Sequence, residues 1–293
     1  MIRNFEELKT LARGTTKTIA VADADATAIE AVHEALKEGF SINVIYVGEV
    51  SFITEKLKNL NVSFKEEDII EANTEEEAAL KAVMAVKEGK ADILMKGKLQ
   101  TATLLKAVLN KETGISTGST MSHLTALSLP TYEKLLFVTD AGMNPYPNLE
   151  QKKDITENTI NFLKKLGYDK IKIAALAAVE TINPKMPETE EAHELKNHFE
   201  TRDYINFEGP FSMDLAISKD AAKKKNISSE VSGDVDVLVV PNIATGNIFC
   251  KSLIYLANAT MAGVVVGAEA PIILVSRGAS SSEKLMSILL TLS

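Results

Sequence analysis

The amino-acid sequence predicts an α/β fold in which mostly parallel sheets carry helices on both faces. Over almost all of its 293 residues, short apolar runs rich in Val and Ile alternate with longer segments of helical period. This alternation is typical of parallel strands joined by crossover helices. Polar segments that often contain glycine follow several of the runs, as they do where open α/β sheets bind ligands at strand carboxyl ends. The predicted strands are 18–21, 43–47, 92–95, 135–138, 172–177, 237–240 and 271–275.

Capping signals mark the helices between these strands. Asp25 begins a helical segment that runs to Lys37 and stops at Gly39, which is the usual order of a start and an end signal. The run Thr74-Glu75-Glu76-Glu77 is a capping box, so it predicts a helix that closes near Gly89. Both segments therefore fit the crossover helices that the strand pattern requires.

The chain length and a break around 122–131 predict two lobes. At 293 residues the chain reaches the size at which single cores give way to two domains. The segment 123–130 predicts a sheet-edge strand at the entry to a second lobe, and the return falls near 263–271. We expect a first lobe of 1–125 plus 268–293 and a second lobe of 126–267, with an active site in the cleft between them.

Composition excludes several classes of function. A hydrophobic content of 45% with 25% charged residues is that of a globular enzyme or binding protein. A formal charge of −8 argues against general nucleic-acid binding, because a phosphate backbone demands basic surface. The single cysteine, Cys250, excludes an intrachain disulfide and a cysteine metal cluster. Neither a signal peptide nor a run of about 18 apolar residues is evident, so we expect a cytoplasmic protein without membrane association.

The segment after the last strand has the features of an anion site. The apolar run 272–275 leads into Ser276, Arg277 and Gly278. Hydroxyls, backbone N–H groups and the positive end of a helix dipole favour phosphate there, and a guanidinium offers a planar donor fork. Glu283, in the first turns of the following helix, is a candidate acid or base. A purely structural interpretation also stands, in which Ser280 or Ser281 caps the helix.

The segment after strand 237–240 offers amide donors. Asn242 and Asn247 carry carboxamides, and Gly246 would let the backbone approach a ligand closely before a helix at 248–259. An Asn-Gly pair also occurs in ordinary turns.

Two further strand ends carry polar residues. Lys96 and Lys98, with Thr101 and Thr103, follow strand 92–95 and precede a helix at 104–110, where they would contact an anion or be solvated. The segment 139–148 contains Asn144, a candidate substrate-binding residue, and ends at Asn148, a candidate helix cap. Walker and G-x-G-x-x-G spacings are absent, the histidines lack metal-ligand spacing, and we assign no metal.

Four of these segments, taken in order, resemble the phosphate acetyl/butyryltransferase family over nearly the whole chain. They are 139–151, Glu208-Gly209-Pro210 leading to Asp214 and Ala216, Pro241-Asn242 through Gly246-Asn247, and Ser276-Arg277-Gly278. Met95-Lys96-Gly97, the short length and Pro241-Asn242 make the chain most similar to the butyryltransferase branch.

The resemblance implies a fold and a reaction. The fold is a two-lobed, three-layer α/β/α architecture of the isocitrate/isopropylmalate dehydrogenase type, used without nicotinamide, in a homo-oligomer built on a dimer. The reaction is the reversible conversion of acyl-CoA and inorganic phosphate to acyl phosphate and CoA, with no cofactor beyond these substrates. Butyryl as the acyl group, with acetyl as the alternative, is implied by the resemblance alone.

The resemblance also assigns roles to residues. Arg277 would stabilise phosphate and the developing oxyanion, with Ser276 and Asn247 as hydrogen-bond donors. Glu283 stands where the acetyl branch has an aspartate base, and would act on the CoA thiol. A second family arginine has no counterpart here, so Lys96, Lys98 or Lys106 would supply its charge.

Other functions and routes remain open from the sequence. The reaction can proceed through a ternary complex without a covalent acyl-enzyme. The alternative is a covalent route in which Cys250, which lies in an apolar setting, is the nucleophile. A metal-dependent 2-hydroxy-acid dehydrogenase and a non-catalytic anion- or CoA-binding protein are the alternative functions.

Overall fold

The structure, a computed structural model, describes residues 2–274 and 281–293, with Ser281 described by its backbone only. Ser276, Arg277, Gly278 and the predicted cap residue Ser280 lie outside the described residues. The helices are α1 (Phe5–Ala12), α2 (Ala26–Lys37), α3 (Val50–Asn59), α4 (Glu75–Lys87), α5 (Thr101–Val108), α6 (Leu149–Lys165), α7 (Pro187–Phe199), α8 (Met213–Ile217), α9 (Lys219–Lys224), α10 (Ile243–Ala257) and α11 (Ser281–Leu292). The strands are β1 (Lys17–Ala22), β2 (Ile42–Gly48), β3 (Ile69–Glu71), β4 (Ile93–Lys96), β5 (Ser122–Ser128), β6 (Leu136–Thr139), β7 (Ile171–Leu176), β8 (Ile205–Phe211), β9 (Val237–Val239), β10 (Thr260–Val266) and β11 (Ile272–Ile273).

The chain divides into two compact units. The first unit is Glu6–Ser119 with Ala262–Ser293, and the second unit is Met1–Phe5 with Thr120–Met261. The lobes expected at 1–125 plus 268–293 and at 126–267, and an active site in a cleft between them, stay a prediction.

The sheet of the first unit runs in the order β3, β2, β1, β4, β11, β10. Strands β1 to β4 and β11 are parallel, and β10 is antiparallel to β11. Helix α2 connects β1 to β2 in one direction along the sheet, whereas α4 connects β3 to β4 in the other. Because such crossovers are right-handed, the two helices lie on opposite faces. The apolar sides of both helices are buried, including Ile29 and Val83.

The sheet of the second unit runs in the order β5, β6, β9, β7, β8. Strands β6, β9, β7 and β8 are parallel, and β5 is antiparallel to β6. The amino end of β5 therefore lies at the same edge of the sheet as the carboxyl ends of the other four strands. This geometry collects four loops and one strand start at a single edge.

The predicted α/β class with mostly parallel sheets is confirmed. The helix caps predicted from the sequence for α2 and α4 are also observed. Asp25 caps α2 by accepting the Ala28 N–H, and Thr74 caps α4 by accepting the Glu77 N–H at 3.1 Å. All seven predicted strands overlap observed ones. The strand prediction omitted β3, β8 and β10. Pro210 interrupts the apolar pattern of β8, and it is tolerated because β8 is the last strand in the order.

No helix in the described part of the chain combines the length and the apolar character needed to cross a membrane.

Candidate active site

At the strand edge of the second unit, a buried carboxylate organises the loop after β6. Asp140 is 3% exposed, and its two oxygens accept the backbone N–H groups of Gly142, Met143 and Asn144 at 2.9, 2.9 and 3.0 Å. The Asn144 carboxamide adds a fourth N–H at 2.6 Å. A carboxylate that accepts four N–H groups is held in place by them, so Asp140 shapes this loop. This role of Asp140 was not predicted from the sequence.

The predicted substrate-binding residue Asn144 is part of this loop scaffold. Its Nδ2 group donates to the Met121 carbonyl at 2.8 Å as well as to Asp140. Both amide hydrogens are therefore used within the protein, and the side-chain oxygen is the atom that remains for a ligand. Asn148 caps α6 through a capping box with Gln151, as the sequence predicts.

Helix α10 begins earlier than the sequence suggests. It starts at Ile243 rather than at 248, because the Asn242 side chain accepts the Thr245 N–H at 3.0 Å and caps it there. The prediction that Gly246 and Asn247 belong to a polar turn is therefore wrong, since both lie in the first two turns of the helix. Asn242 serves as the cap, which uses its Oδ1 atom.

The same turns of α10 pack directly on the Asp140 loop. A Cβ atom on Gly246 would lie 2.9 Å from the Ala141 Cα and 2.9 Å from the Val240 side chain. Asn247 donates from Nδ2 to the Ala141 carbonyl at 3.2 Å. Glycine at position 246 thus permits close approach of helix and loop, and the structure brings Asn144, Gly246 and Asn247 together around residues 140–144.

His123, which the sequence analysis did not select, lies under this loop at the start of β5. Its ring is half-buried, and a Cβ atom on Gly142 would lie 3.1 Å from it. Its Nδ1 atom is 3.2 Å from the Thr125 hydroxyl. Burial lowers the pKa of His123, and the charge of Asp140 opposes that shift. The sequence held one available signal, because an antiparallel strand beside β6 would place its first residues at this edge.

Cys250 lies in a buried position where its thiol is unreactive. It is 5% exposed on the buried side of α10, and burial raises the pKa of its thiol to about 12, with a hydrogen bond to Thr125 acting in the other direction. The thiol is therefore protonated near pH 7, which opposes a covalent route through this residue.

At the strand edge of the first unit, a glycine brings the β4 loop against β1. Gly97 donates its N–H to the Ala22 carbonyl and Lys98 donates its own to the Asp23 carbonyl, both at 2.8 Å. A Cβ atom on Gly97 would lie 2.1 Å from the Asp23 carbonyl oxygen. Burial raises the pKa of Asp23, and the neighbouring Lys98 charge opposes the rise.

The predicted anion ligands of this edge fall into two groups. The half-buried Lys96 ammonium donates to the Gly97 and Leu99 carbonyls, both at 2.9 Å, so it holds its own loop. Lys98, Lys106 and Thr101 are exposed, and Thr101 is the first residue of α5. That one of Lys96, Lys98 and Lys106 supplies the charge of the missing arginine stays a prediction.

Helix α11 carries the predicted base and a buried ammonium that sequence reasoning missed. Glu283 is half-buried in its first turn. Lys284 is 8% exposed, and its Nζ donates to the Thr27 hydroxyl, which in turn donates to the Asp25 carboxylate at 3.0 Å. Because Ser276, Arg277 and Gly278 lie outside the described residues, the convergence of Arg277 and Glu283 stays a prediction.

Fold and site define an α/β protein that places polar loops at the carboxyl ends of parallel strands, the usual position of small-molecule sites in this class. The family model described as "Phosphate acetyl/butaryl transferase" matches residues 67–292. The chain belongs to this family, which confirms the resemblance found in the sequence.

Individual relatives match nearly the whole chain. The phosphate butyryltransferase of Clostridium acetobutylicum is 39% identical, covering 99% of this chain and 97% of the relative. The phosphate acetyltransferase of Thermotoga maritima is also 39% identical, covering 98% of each chain. The crystal structure of a branched-chain phosphotransacylase from Enterococcus faecalis V583 superposes with a TM-score of 0.82 at 33% identity, covering 94% of this chain and 97% of that one.

A more distant likeness extends to dehydrogenases. A putative 4-hydroxythreonine-4-phosphate dehydrogenase from Salmonella typhimurium superposes with a TM-score of 0.57 at 14% identity, covering 94% of this chain and 99% of that one. The fold class is therefore shared with dehydrogenases, as the sequence predicts.

Proposed function

We propose that this protein is an acyltransferase that moves a short acyl group reversibly between CoA and inorganic phosphate. The observation that carries this proposal is the family match together with full-length relatives named for this chemistry. The strand-edge loops support it, because Asn247 offers a neutral donor and Lys98 offers a cationic donor for anionic substrates.

The acyl group we propose is butyryl or a chain of similar size, with acetyl as the alternative. The phosphate butyryltransferase of C. acetobutylicum and the phosphate acetyltransferase of T. maritima are each 39% identical to this chain, and the superposed E. faecalis protein is a branched-chain phosphotransacylase. One methylene in an apolar pocket changes specificity by about 10–200-fold. Relative kcat/KM for acetyl-, butyryl- and branched acyl-CoA is the measurement that decides among them.

The proposed route is a ternary complex without a covalent acyl-enzyme. Arg277 and Ser276 stabilise phosphate and the oxyanion of the thioester carbonyl, and Glu283 takes the proton of the CoA thiol in acyl-CoA formation. Asn247 fits as a neutral donor, because its carboxamide is fixed against the Ala141 carbonyl. The inert setting of Cys250 supports the same route.

The proposed reaction uses CoA and phosphate as substrates and requires no resident cofactor or metal. Within residues 2–274 and 281–293, no group of three or more His, Cys, Asp or Glu side chains is placed to hold a metal ion. We further propose a cytoplasmic location, with no nucleic-acid or membrane partner, on the grounds of net charge and composition.

A second copy of the chain is the proposed protein partner, with α10 as the contact surface. The structure describes α10 in full, and of its fifteen residues Lys251 is the single charged one while Gly246 and Cys250 are the buried ones. Its outer side exposes Ile248 at 66% and Tyr255 at 81%. Exposed tyrosines offer roughly 150 Å² each.

Leu256 on the same helix and Tyr146 in the segment before α6 are also more than four-fifths exposed. At roughly 150 Å² each, the two tyrosines supply about 300 Å² of the roughly 800 Å² that each partner contributes to a stable dimer. Light scattering on Tyr255→Glu tests this contact, because an ionised carboxylate in an apolar interface would dissociate the dimer. Lys251→Gln serves as the control on the same helix.

Phosphate-dependent thiol release tests the proposed activity. Purified protein is mixed with butyryl-CoA with and without phosphate, and free CoA thiol is followed. Release only with phosphate, with butyryl phosphate as the second product, is the expected result. Release without phosphate, or nicotinamide reduction by a malate-like acid with Mg²⁺, would contradict the proposal.

Arg277→Ala tests the central residue of the proposed route. Loss of an oxyanion donor costs about 2.7–4 kcal/mol of barrier, so turnover should fall by roughly a hundredfold or more. Cys250→Ala should stay near wild-type turnover, and its inactivity in a folded variant would favour a covalent route.

A further inference from the structure

We propose that Lys284 is a positioning residue of this acyltransferase, which anchors the first turn of α11 to the start of α2 and thereby fixes the place of the Glu283 carboxylate. The inference rests on the proposed function and adds to it a residue that acts through Glu283. All the residues that carry it belong to the first unit.

The first support is a chain of hydrogen bonds from Lys284 to the cap of α2. The Lys284 ammonium donates to the Thr27 hydroxyl, and this hydroxyl donates to the Asp25 Oδ1 atom at 3.0 Å. The same Oδ1 atom accepts the Ala28 N–H at 2.8 Å, which caps α2. Because an ammonium has no acceptor, the Thr27 oxygen accepts and its own hydrogen is left for Asp25. The charge at the start of α11 is therefore tied to the end of another helix.

The second support is that α11 does not need this charge for its packing. Lys284 is 8% exposed, and most of the residues that follow it on the helix are both apolar and buried: Leu285, Met286, Ile288, Leu289, Leu290 and Leu292. Hydrophobic burial holds the helix on the protein, but it is not directional and specifies the rotation of the helix only weakly. A hydrogen bond from a buried charge is directional, and setting registry is the best-attested use of such groups.

The third support is a second polar anchor on α11, one turn after Glu283. Ser287 is 1% exposed, and its Oγ atom accepts the Gly263 N–H of β10 at 3.0 Å. The Ser287 hydroxyl also donates to the Glu283 carbonyl at 2.8 Å. Residues four apart lie on one face of a helix, so this bond holds the face that carries Glu283. Lys284 lies about 100° further around the helix and fixes its rotation from another side.

The place of the Glu283 carboxylate is sensitive to that rotation. A side-chain tip about 5–6 Å from the helix axis moves by about 1 Å when the helix turns by about 10°. Misplacement by about 1 Å can lower the rate of a reaction by about a hundredfold. Lys284 thus affects proton transfer between Glu283 and the CoA thiol without contacting a substrate itself.

The experiment measures phosphate-dependent thiol release by Lys284→Met and by Thr27→Val. Methionine keeps an unbranched apolar chain and loses the ammonium, so kcat should fall by about a hundredfold while KM for phosphate and for butyryl-CoA changes little. Thr27→Val removes the hydroxyl that receives the ammonium and should lower kcat several-fold. Thr27→Ser keeps that hydroxyl and should retain wild-type kcat. Thr10→Val, at another exposed helical threonine of the first unit, is the matched control.

Thermal unfolding separates positioning from support of the fold. Replacing a buried charge by an apolar side chain of similar size is often neutral or stabilising, so the Tm of Lys284→Met should equal or exceed that of wild type. A lower Tm with unchanged kcat would show that Lys284 only supports the fold, and would overturn the proposal. If Lys284→Met does not fold, Thr27→Val carries the same test, because Thr27 is exposed.

A double-mutant cycle tests whether Lys284 acts through Glu283. Glu283→Gln should lower kcat by about 10²–10⁴-fold, as loss of a general base does. Adding Lys284→Met to that variant should lower kcat by no more than about twofold further, because the carboxylate that Lys284 positions is already gone. Two reductions that multiply would overturn the positioning role.

The outcomes separate this proposal from the proposed function. Thiol release by wild type, with equally active Lys284→Met and Thr27→Val variants, would overturn the role of Lys284 alone. A fully active Glu283→Gln variant would overturn the roles of both Glu283 and Lys284 and leave the proposed reaction in place. No phosphate-dependent release by wild type would overturn the proposed function, and the role of Lys284 with it.

Discussion

The loops at the two strand edges are organised by opposite charges. In the second unit the Asp140 carboxylate gathers four N–H groups, whereas in the first unit the Lys96 ammonium donates to two carbonyls. In each unit, a charged side chain at the end of a parallel strand forms hydrogen bonds that stabilise its own loop. The comparison teaches that a charged side chain at a strand end can be taken up by its own loop, so that its charge alone does not predict a contact with a ligand.

The largest expected effect is the loss of the Asp140 carboxylate. Asp140→Ala leaves three backbone N–H groups and one carboxamide without their acceptor in a buried position. We expect the free energy of unfolding to fall by about 3–5 kcal/mol, measured by urea denaturation. Asp169→Ala, at an exposed position, is the control and should change stability by less than about 0.5 kcal/mol. Near-wild-type stability of Asp140→Ala would show that the loop does not depend on this residue.

Substitutions of Gly97 and Gly246, which both pack closely against a neighbouring segment, compare the strand edges of the two units directly. Gly97→Ala places a methyl 2.1 Å from a carbonyl oxygen, whereas Gly246→Ala places one 2.9 Å from its nearest neighbours. We expect Gly97→Ala to cost about 3 kcal/mol. Gly246→Ala should cost about 1 kcal/mol, because the better helix propensity of alanine offsets part of the crowding.

Chemical denaturation of both glycine variants ranks them by their loss of free energy of unfolding. An equal loss of stability, or a greater loss at position 246, would contradict the difference between the two edges.

Substitutions of Lys96 and Lys98 should distinguish a lysine that stabilises its own loop from a lysine that binds a ligand. Lys96→Met removes the donor to two carbonyls and should lower the free energy of unfolding by about 1–2 kcal/mol. Lys98→Met should leave stability within about 0.5 kcal/mol and raise KM for CoA or phosphate several-fold, if Lys98 replaces the missing arginine. Denaturation and steady-state kinetics on these two variants test both expectations. A change in KM found only in Lys96→Met would show that Lys96, rather than Lys98, binds the ligand.

The smallest expected effect is a pH dependence of stability from His33 of the first unit. Among the described residues its Nε2 atom is buried without a hydrogen-bond partner, and burial lowers its pKa from the ordinary value of 6.5. Because the unfolded chain then binds more protons, stability should fall as pH drops below about 6.5. His33→Leu should show a shallower decline in Tm between pH 7 and pH 5, and an unchanged slope would assign the effect to other groups.

Local signals in the sequence were reliable because their contacts span few residues. Asp25, Thr74 and Asn148 each cap the helix that follows by accepting an N–H three positions later. The alternation of apolar runs likewise predicted parallel strands, because buried strands must be apolar on both faces. The α/β class and the family followed from such patterns.

The site was only partly accessible from the sequence. Asn144, Gly246 and Asn247 were selected as ligand contacts, and the structure does bring them together, but it also gives each a bond or contact within the protein. His123 and Lys284 were missed because their partners are defined by sheet pairing and helix packing. Lys284 meets Thr27 across 257 positions of sequence, a relation that no local spacing records.

The sequence by itself determined the α/β class, most of the strands, the caps of α2, α4 and α6, the family and the type of chemistry, since these depend on residue type and short spacing. Tertiary structure alone decided that Gly246 faces residues 140–141, that Lys96 serves its own loop, and that His123 lies beneath Gly142. The physical reason is that strand pairing brings distant chain segments within a few ångströms, and close packing then decides which polar atoms are already used.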